Sequence, residues 1–158
     1  MTPRISVYSA NELSAQQQDE IDAWFHMQFG HIPYEWAAPA WHVLACVDDT
    51  LVSCLRLLQR VVTAGDEPVR VGGVGGVMTR APWQRRGLAS ATLQRAAEFM
   101  ADELRAEFGF VAVSRRSGAG VRPAGMADSA SYARLTMVLP CTTRSWPGGA
   151  IDMRGLPW

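Results

Sequence analysis

Apolar and polar residues alternate from Ile5 to Tyr8, the two-residue period of a short strand. The period then lengthens. Between Ser14 and Gly30, Ile21, Trp24, Phe25 and Phe29 recur at helical spacing, which predicts an amphipathic helix over Ala15 to Phe29 with Ser14 as N-cap and Gly30 as its stop. A loop holding Pro33 and Pro39 follows, and Trp41 to Val47 returns as a strand. Asp48–Asp49 supplies a turn and Leu51 to Thr63 the second arm of a hairpin. Ala64 to Pro68 turns the chain again into Val69 through Met78, where Val71, Val74 and Val77 are each separated by a pair of glycines. Strict alternation places Val74 opposite the other two valines. A bulge among Gly72, Gly73, Gly75 and Gly76 would realign them, and bulges gather where a ligand approaches the backbone.

Pro82 ends the strand region. A long helix is expected from Arg86 or Gly87 to about Phe108, with Leu88, Ala89, Leu93, Ala96, Ala97, Met100 and Leu104 as its apolar stripe. After Gly109, Phe110 to Val113 has the continuous apolar character of a buried strand. Ser114 to Ser131 shows no period and reads as loop; Tyr132 to Leu139 reads as a strand, and Pro140 to Trp158 as Pro/Gly-punctuated coil. The succession of strands and helices predicts one α/β domain over residues 1–158, with a mixed, mostly antiparallel sheet flanked by helices.

Composition narrows the function classes. The chain is 48% hydrophobic and 19% charged, enough apolar material for a core of its own. Fifteen basic residues balance fifteen acidic ones, so no global field draws it to nucleic acid or an anionic membrane. All fifteen basic residues are Arg. That excludes a Schiff-base lysine and the phosphate-binding Lys of a Walker loop. Residues 1–113 hold nine Arg against thirteen acids, net −4, and residues 114–158 six Arg against two acids, net +4. Cys46, Cys54 and Cys141 lack metal-ligand or disulfide-framework spacing, and read as buried free thiols in a reducing cytoplasm. No metal is called for. Met1 to Ala10 holds no apolar run of signal-peptide or membrane length.

The chemistry-bearing stretch is Val77 to Ala89: strand, short loop, then Gln84-Arg85-Arg86-Gly87-Leu88-Ala89 opening a helix. A helix start leaves backbone N–H groups unpaired and carries the positive end of the dipole, so it can hold a diphosphate. Gly87 and Ala89 are small where phosphate would approach, and Arg85 and Arg86 add positive charge.

Gln-x-x-Gly-x-Ala after a strand and opening a helix resembles the acyl-CoA signature of the GNAT superfamily of N-acetyltransferases. The order of strands and helices resembles that superfamily too. A narrower resemblance rests on Glu35-Trp36, on Trp41-His42-Val43-Leu44, on Trp83 before Gln84, and on the ending Asp152 to Trp158. Together these look like aminoglycoside 2′-N-acetyltransferases. Trp146 to Asp152 also resembles the tail of the rhizobial nodulation acyltransferase of type A.

The resemblance implies a splayed pair of parallel central strands that admits acetyl-CoA as cosubstrate. Backbone of Val77, Met78 and Thr79 would pair with pantetheine, the Val77 N–H would polarise the acetyl carbonyl, and Gln84, Arg85, Arg86, Gly87, Leu88 and Ala89 would hold the pyrophosphate. Glu35 would bind the amine acceptor and accept its proton. Ser114 would serve just beyond the fifth strand. Trp36, Gly75, Gly76, Asp152 and Trp158, through its terminal carboxylate, would line the acceptor site. The implied acceptor is a primary amine on a small polar molecule of the aminoglycoside type.

Two departures stand against it: Gly75 replaces a glutamate of the aminoglycoside enzymes, and no Tyr stands in Ser114 to Ser131 to protonate the leaving thiolate. An acyl carrier protein donor and a catalytically weak CoA-binding domain therefore remain alternatives. Duller roles also stand open: Glu35 as a solvated loop carboxylate, His26 and His42 as structural residues, Trp24, Phe25 and Phe29 as core, the tail as a homodimer contact. Trp36, Trp41 and Trp83 are placed to rim a cleft.

Overall fold

The computed structural model describes residues 2–32, 35–116, 132–156 and 158, with the side chains of 112–116 and 132–137 excepted. The elements run β1 (Arg4–Ser9), α1 (Ala15–Phe29), β2 (Trp41–Val47), β3 (Thr50–Ala64), β4 (Glu67–Thr79), α2 (Leu88–Asp102), β5 (Phe108–Arg116), β6 (Tyr132–Pro140) and β7 (Ile151–Asp152). Six strands lie in the order β1-β2-β3-β4-β5-β6, antiparallel throughout except for the parallel β4–β5 pair. The α/β class and the mostly antiparallel sheet are as the pattern predicts.

Local chemistry accounts for the boundaries. The Ser14 hydroxyl accepts from the Gln17 N–H at 3.2 Å and the Gln17 side chain accepts from the Ser14 N–H at 3.0 Å, so two orphan donors at the start of α1 are satisfied reciprocally. Asp48 and Asp49 both take positive φ, 47° and 61°, the geometry of a two-residue hairpin whose twist suits β2 and β3.

Three expectations change. The helix expected to reach Phe108 ends at Asp102, and the residues from Phe108 belong to β5. Gly109 lies inside that strand, not before it, paired with Gly72 and Leu139; it carries no side chain because Met100 of α2 rests on it, its methyl 2.9 Å from where a Cβ would stand. Ser114 to Arg116, expected as loop, complete β5, and residues 117–131 lie outside the described residues. The tail, expected as coil, contributes β7, which pairs with Thr63 and Ala64 where β3 has run past the end of β2.

The sheet is covered on both sides. On one, α2 packs Ala96 and Met100 against Val43, Leu55, Leu57 and Val74. On the other, Ile21 and Trp24 of α1 meet Leu44, Cys54 and Met78, while Trp146 and Trp158 of the tail cover Val71, Phe108 and Phe110. Arg60 Nη1 donates to the Met153 and Leu156 carbonyls at 3.2 and 2.8 Å, and Arg154 Nε donates to Thr63 Oγ1 at 2.8 Å. Arg144 bridges Glu67, at 2.6 Å, and Glu107. The tail is thereby strapped across β3, β4 and β5.

Candidate active site

The parallel ladder between β4 and β5 runs from Val71–Phe108 to Val74–Val111 and stops there. Both strands continue, β4 to Thr79 and β5 to Arg116, so the β5-side edge of residues 75–79 has no strand neighbour among the described residues. This is the splay the resemblance implies. On its other edge β4 carries a bulge: Cys54 pairs with Met78 and Arg56 with Gly75, leaving Gly76 and Val77 opposite Leu55 alone. Gly76 takes φ +56° to make it. Val77 thereby joins Val74 on the α2 face, whereas Val71 stays on the opposite face with Phe108 and Trp158. The expected realignment thus holds for two valines and fails for Val71, since a central strand buried on both faces needs apolar residues on both.

Past Thr79 the chain makes a short 3-10 turn, Ala81–Trp83, and reaches Gly87, which takes φ +79° as the N-cap of α2. Gln84 Nε2 donates to the Thr79 carbonyl at 3.0 Å and braces the loop. Among the described residues no side chain caps α2. The first N–H groups of a fifteen-residue helix therefore face an open corner, and a Cβ on Gly87 would meet nothing within 4 Å. Arg85 and Arg86 are exposed beside it, with the Arg86 guanidinium 5.0 Å from the Trp83 ring centre; Leu88 is buried and anchors the helix. A diphosphate fits this corner on charge, on donors and on space.

On the α1 face, over the bulge, lies a small, partly open cleft. Trp36, Gly75, Gly76 and Trp158, four of the residues expected to line the acceptor site, are brought together there. Phe25 of α1 joins them, its ring 5.8 Å from that of Trp36 and edge-on to it. Arg56 of β3 completes the wall; its guanidinium lies 3.7 Å from the Phe25 ring centre and pairs with Asp22. Phe25 and Arg56 were not foreseen as site residues. An arginine inside the apolar run Leu51 to Leu58 is the signal that could have found Arg56, because a charge in a strand interior demands a partner and a purpose.

The remaining expected residues divide. Glu35 is exposed on the loop beside Trp36. Ser114 lies on the stretch of β5 that has parted from β4, and its side chain lies outside the described residues. Asp152 is not brought to the site: it pairs in register with Thr63, eight residues along β3 from Leu55, ~26 Å at the usual strand rise. Its carboxylate accepts from the Arg154 N–H at 2.9 Å and shapes the tail. The glycines of β4 are approached chiefly by the chain itself. Met100 occupies the space over Gly72, and the Trp158 indole that over Gly73. Trp41 stacks edge-on with Phe99 on the α2 face, 5.7 Å between ring centres, and so does not rim this cleft.

His42 is fully buried on the α1 face and cross-strand from Arg56. Burial, and then the Arg56 charge, lower its pKa to about 4, against the pull of Asp22. It is therefore a neutral histidine beneath the site, with neither ring nitrogen partnered among the described residues.

The chain belongs to the GNAT acetyltransferase family: the model of the acetyltransferase (GNAT) domain matches residues 12–120. Curated proteins yield no match. Among solved structures, a GNAT family acetyltransferase from Brucella melitensis in complex with acetyl-CoA is 14% identical, with a TM-score of 0.55 over 94% of this chain and 95% of that one. An aminoglycoside acetyltransferase from an uncultured soil metagenomic sample is 15% identical, with a TM-score of 0.56 over 82% and 98%. Eis1 from Mycobacterium abscessus is 15% identical with a TM-score of 0.55; the match covers 71% of this chain and spans 28% of Eis1. At these identities the likeness is one of fold. Among the described residues no helix is long and apolar enough to cross a membrane.

Proposed function

We propose that residues 1–158 act as one N-acetyltransferase domain, moving an acetyl group from acetyl-CoA to a primary amine of a small molecule while both are bound. The observation that carries this reading is the parting of β4 and β5 after Val74, beside an α2 N-terminus that no side chain caps among the described residues. The open edge of Val77, Met78 and Thr79 would take pantetheine as an added strand, and the N–H groups from Leu88 onward, with Arg85 and Arg86, the pyrophosphate. Bound there, acetyl-CoA supplies an activated thioester. The chain supplies position and charge: the Val77 N–H polarises the acetyl carbonyl, and holding both reactants together removes much of the entropic barrier.

The acceptor amine arrives largely as ammonium and must lose a proton before it attacks. Glu35, exposed on the loop next to Trp36, would take it directly or through a water molecule. An aminoglycoside acceptor, implied by the resemblance, would have to rely on Glu35 as well, since Asp152 stands at the far end of β3. The test is thiol release from acetyl-CoA against a panel of aminoglycosides, polyamines, amino acids and arylamines. Release with one class of amine supports the reading. Binding of CoA with no release for any amine would overturn it in favour of a CoA-binding domain.

A further inference from the structure

Gly76 turns where β4 bulges, and its φ of +56° lies in one of two mirror-related basins that a glycine fills about equally. Its dihedrals set the plane of the 76–77 peptide, and hence where the Val77 N–H points. Something outside β4 must therefore choose the basin. What lies on the glycine is Phe25 of α1 and Arg56 of β3: a Cβ there would stand 2.8 Å from the phenyl ring and 3.4 Å from Arg56 Cδ. These two side chains are themselves locked together. The Arg56 guanidinium lies 3.7 Å from the Phe25 ring centre and pairs with Asp22, one turn earlier on the same face of α1. The phenyl ring is steadied in turn by Phe29, at 5.0 Å between ring centres, and by Trp36, at 5.8 Å. Helix α1 repeats the construction where β4 ends. Arg80 pairs with Glu20, its guanidinium lies 4.7 Å from the Trp24 ring centre, and its Nε donates to the Leu51 carbonyl at 2.6 Å. The open stretch of β4 from Gly76 to Thr79 is thereby pinned to α1 at both ends.

We propose that Asp22, Phe25 and Arg56 are positioning residues: their stacked ion pair holds the Gly76 bulge in its left-handed turn and so aims the Val77 N–H at the thioester carbonyl. This rests on the acetyltransferase reading and adds to it the device that orients the oxyanion donor. Arg56 touches neither reactant in this role. A hydrogen bond weakens steeply once its angle falls below about 120°, so a bulge left to relax keeps its donor and loses its effect. A long, planar cation bridges Asp22, Phe25 and Gly76 at once, which accounts for an arginine inside the apolar run Leu51 to Leu58.

The test reads the donor directly. In the unaltered, ligand-free protein the Val77 backbone order parameter should be about 0.85, that of rigid strand; in Arg56→Met, which keeps most of the stem and loses the charge and the plane, it should drop toward about 0.6. With acetyl-CoA carrying carbon-13 at the acetyl carbonyl, the bound resonance should lie downfield of the free one in the parent, move back in Arg56→Met and recover part of the shift in Arg56→Lys. With an amine that supports release, kcat should fall by about 10–100-fold in Arg56→Met while the acetyl-CoA Kd stays unchanged. Arg144→Gln, which breaks the bridge to Glu67 and Glu107 at the other end of β4, should lower stability and leave the carbonyl signal in place. Asp22 is 53% exposed, so water replaces its lost partner and Arg56→Met should fold. Phe25→Leu removes the same clamp from α1 and should give the same pattern. A carbonyl shift and a kcat that survive both variants, or a Val77 order parameter below about 0.6 in the parent, overturn the positioning role and leave the acetyltransferase reading standing. Acetyl-CoA that does not bind, or no thiol release with any amine, overturns both.

Discussion

Trp158 closes on Gly75 so tightly that its main-chain carbon lies 2.6 Å from where a Cβ on residue 75 would stand. The contact explains why a side chain is missing at this point of β4, where the aminoglycoside enzymes resembled by the sequence carry a glutamate. The tail has taken the space. Even one methyl group at residue 75 must displace it, along with the indole that covers Gly73 and packs on Phe110.

Gly75→Ala should therefore destabilise the fold by about 1–3 kcal/mol, the usual cost of overpacking. A thermal melt should show a fall of several degrees, together with faster proteolysis of the loosened tail. An unchanged melting temperature and an intact tail would mean that Trp158 does not dock on β4.

At the α2 N-terminus the glycine requirement is conformational. Gly87 holds φ +79° with open space where a Cβ would project, so Gly87→Val both strains the backbone and fills the phosphate approach. The expected result is a CoA affinity at least tenfold weaker by calorimetry, with only about 1 kcal/mol lost in stability. Undiminished CoA affinity would remove the α2 N-terminus from the cosubstrate site.

How far the fold was legible follows from which constraints are local. The bounds of α1 were readable because Ser14, Gln17 and Gly30 act on their own backbone, and the β2–β3 hairpin because two aspartates fit its turn. The end of α2 was not, because Leu104 keeps the helical apolar phase after the helix has stopped, and what pulls Phe108 into a strand is its distant partner Val71. The same holds at the site. The Gln84–Ala89 corner is one contiguous run and could be read from its own residues. The cleft gathers Phe25, Arg56, Gly75 and Trp158 from three elements and the tail, and no spacing along the chain announces that meeting. Asp152 shows the converse error, a residue close in the chain to Trp158 that the β7 pairing fixes at the other end of β3.

His42 makes stability depend on pH. Its folded pKa is about 4 against 6.5 for the free side chain, so between these values the unfolded chain binds the proton and the folded chain does not. Stability is then fully present above pH 6.5 and falls as the pH drops toward 4, by about 3 kcal/mol over the window. Urea melts at pH 7 and pH 4.5 should show this loss, and His42→Phe should flatten the slope. A variant with the same pH slope as the parent would assign the dependence to other groups.

The three cysteines should separate by reactivity. Burial pushes the Cys54 thiol up to about 12 and also raises Cys46 and Cys141, but only Cys54 is fully buried; the other two, expected to be buried as well, are partly exposed. A thiol reagent at pH 8 should label Cys46 and Cys141 slowly in the native protein, and Cys54 only at the rate of unfolding. Labelling of Cys54 as fast as the others would mean that the β3 interior opens without global unfolding.

Glu35 is the carboxylate whose role separates catalysis from surface chemistry. It stands exposed next to Trp36, so a Glu35→Gln change should leave the melting temperature and CoA affinity within error. If it takes the amine's proton, kcat should fall by about 10²–10⁴-fold, the range that a positioned base contributes. If it only attracts cationic acceptors, kcat stays and KM rises, with an effect that shrinks as salt screens it. The split between kcat and KM at two ionic strengths decides which role the loop carboxylate has, and a rate unaltered in both parameters removes it from the mechanism.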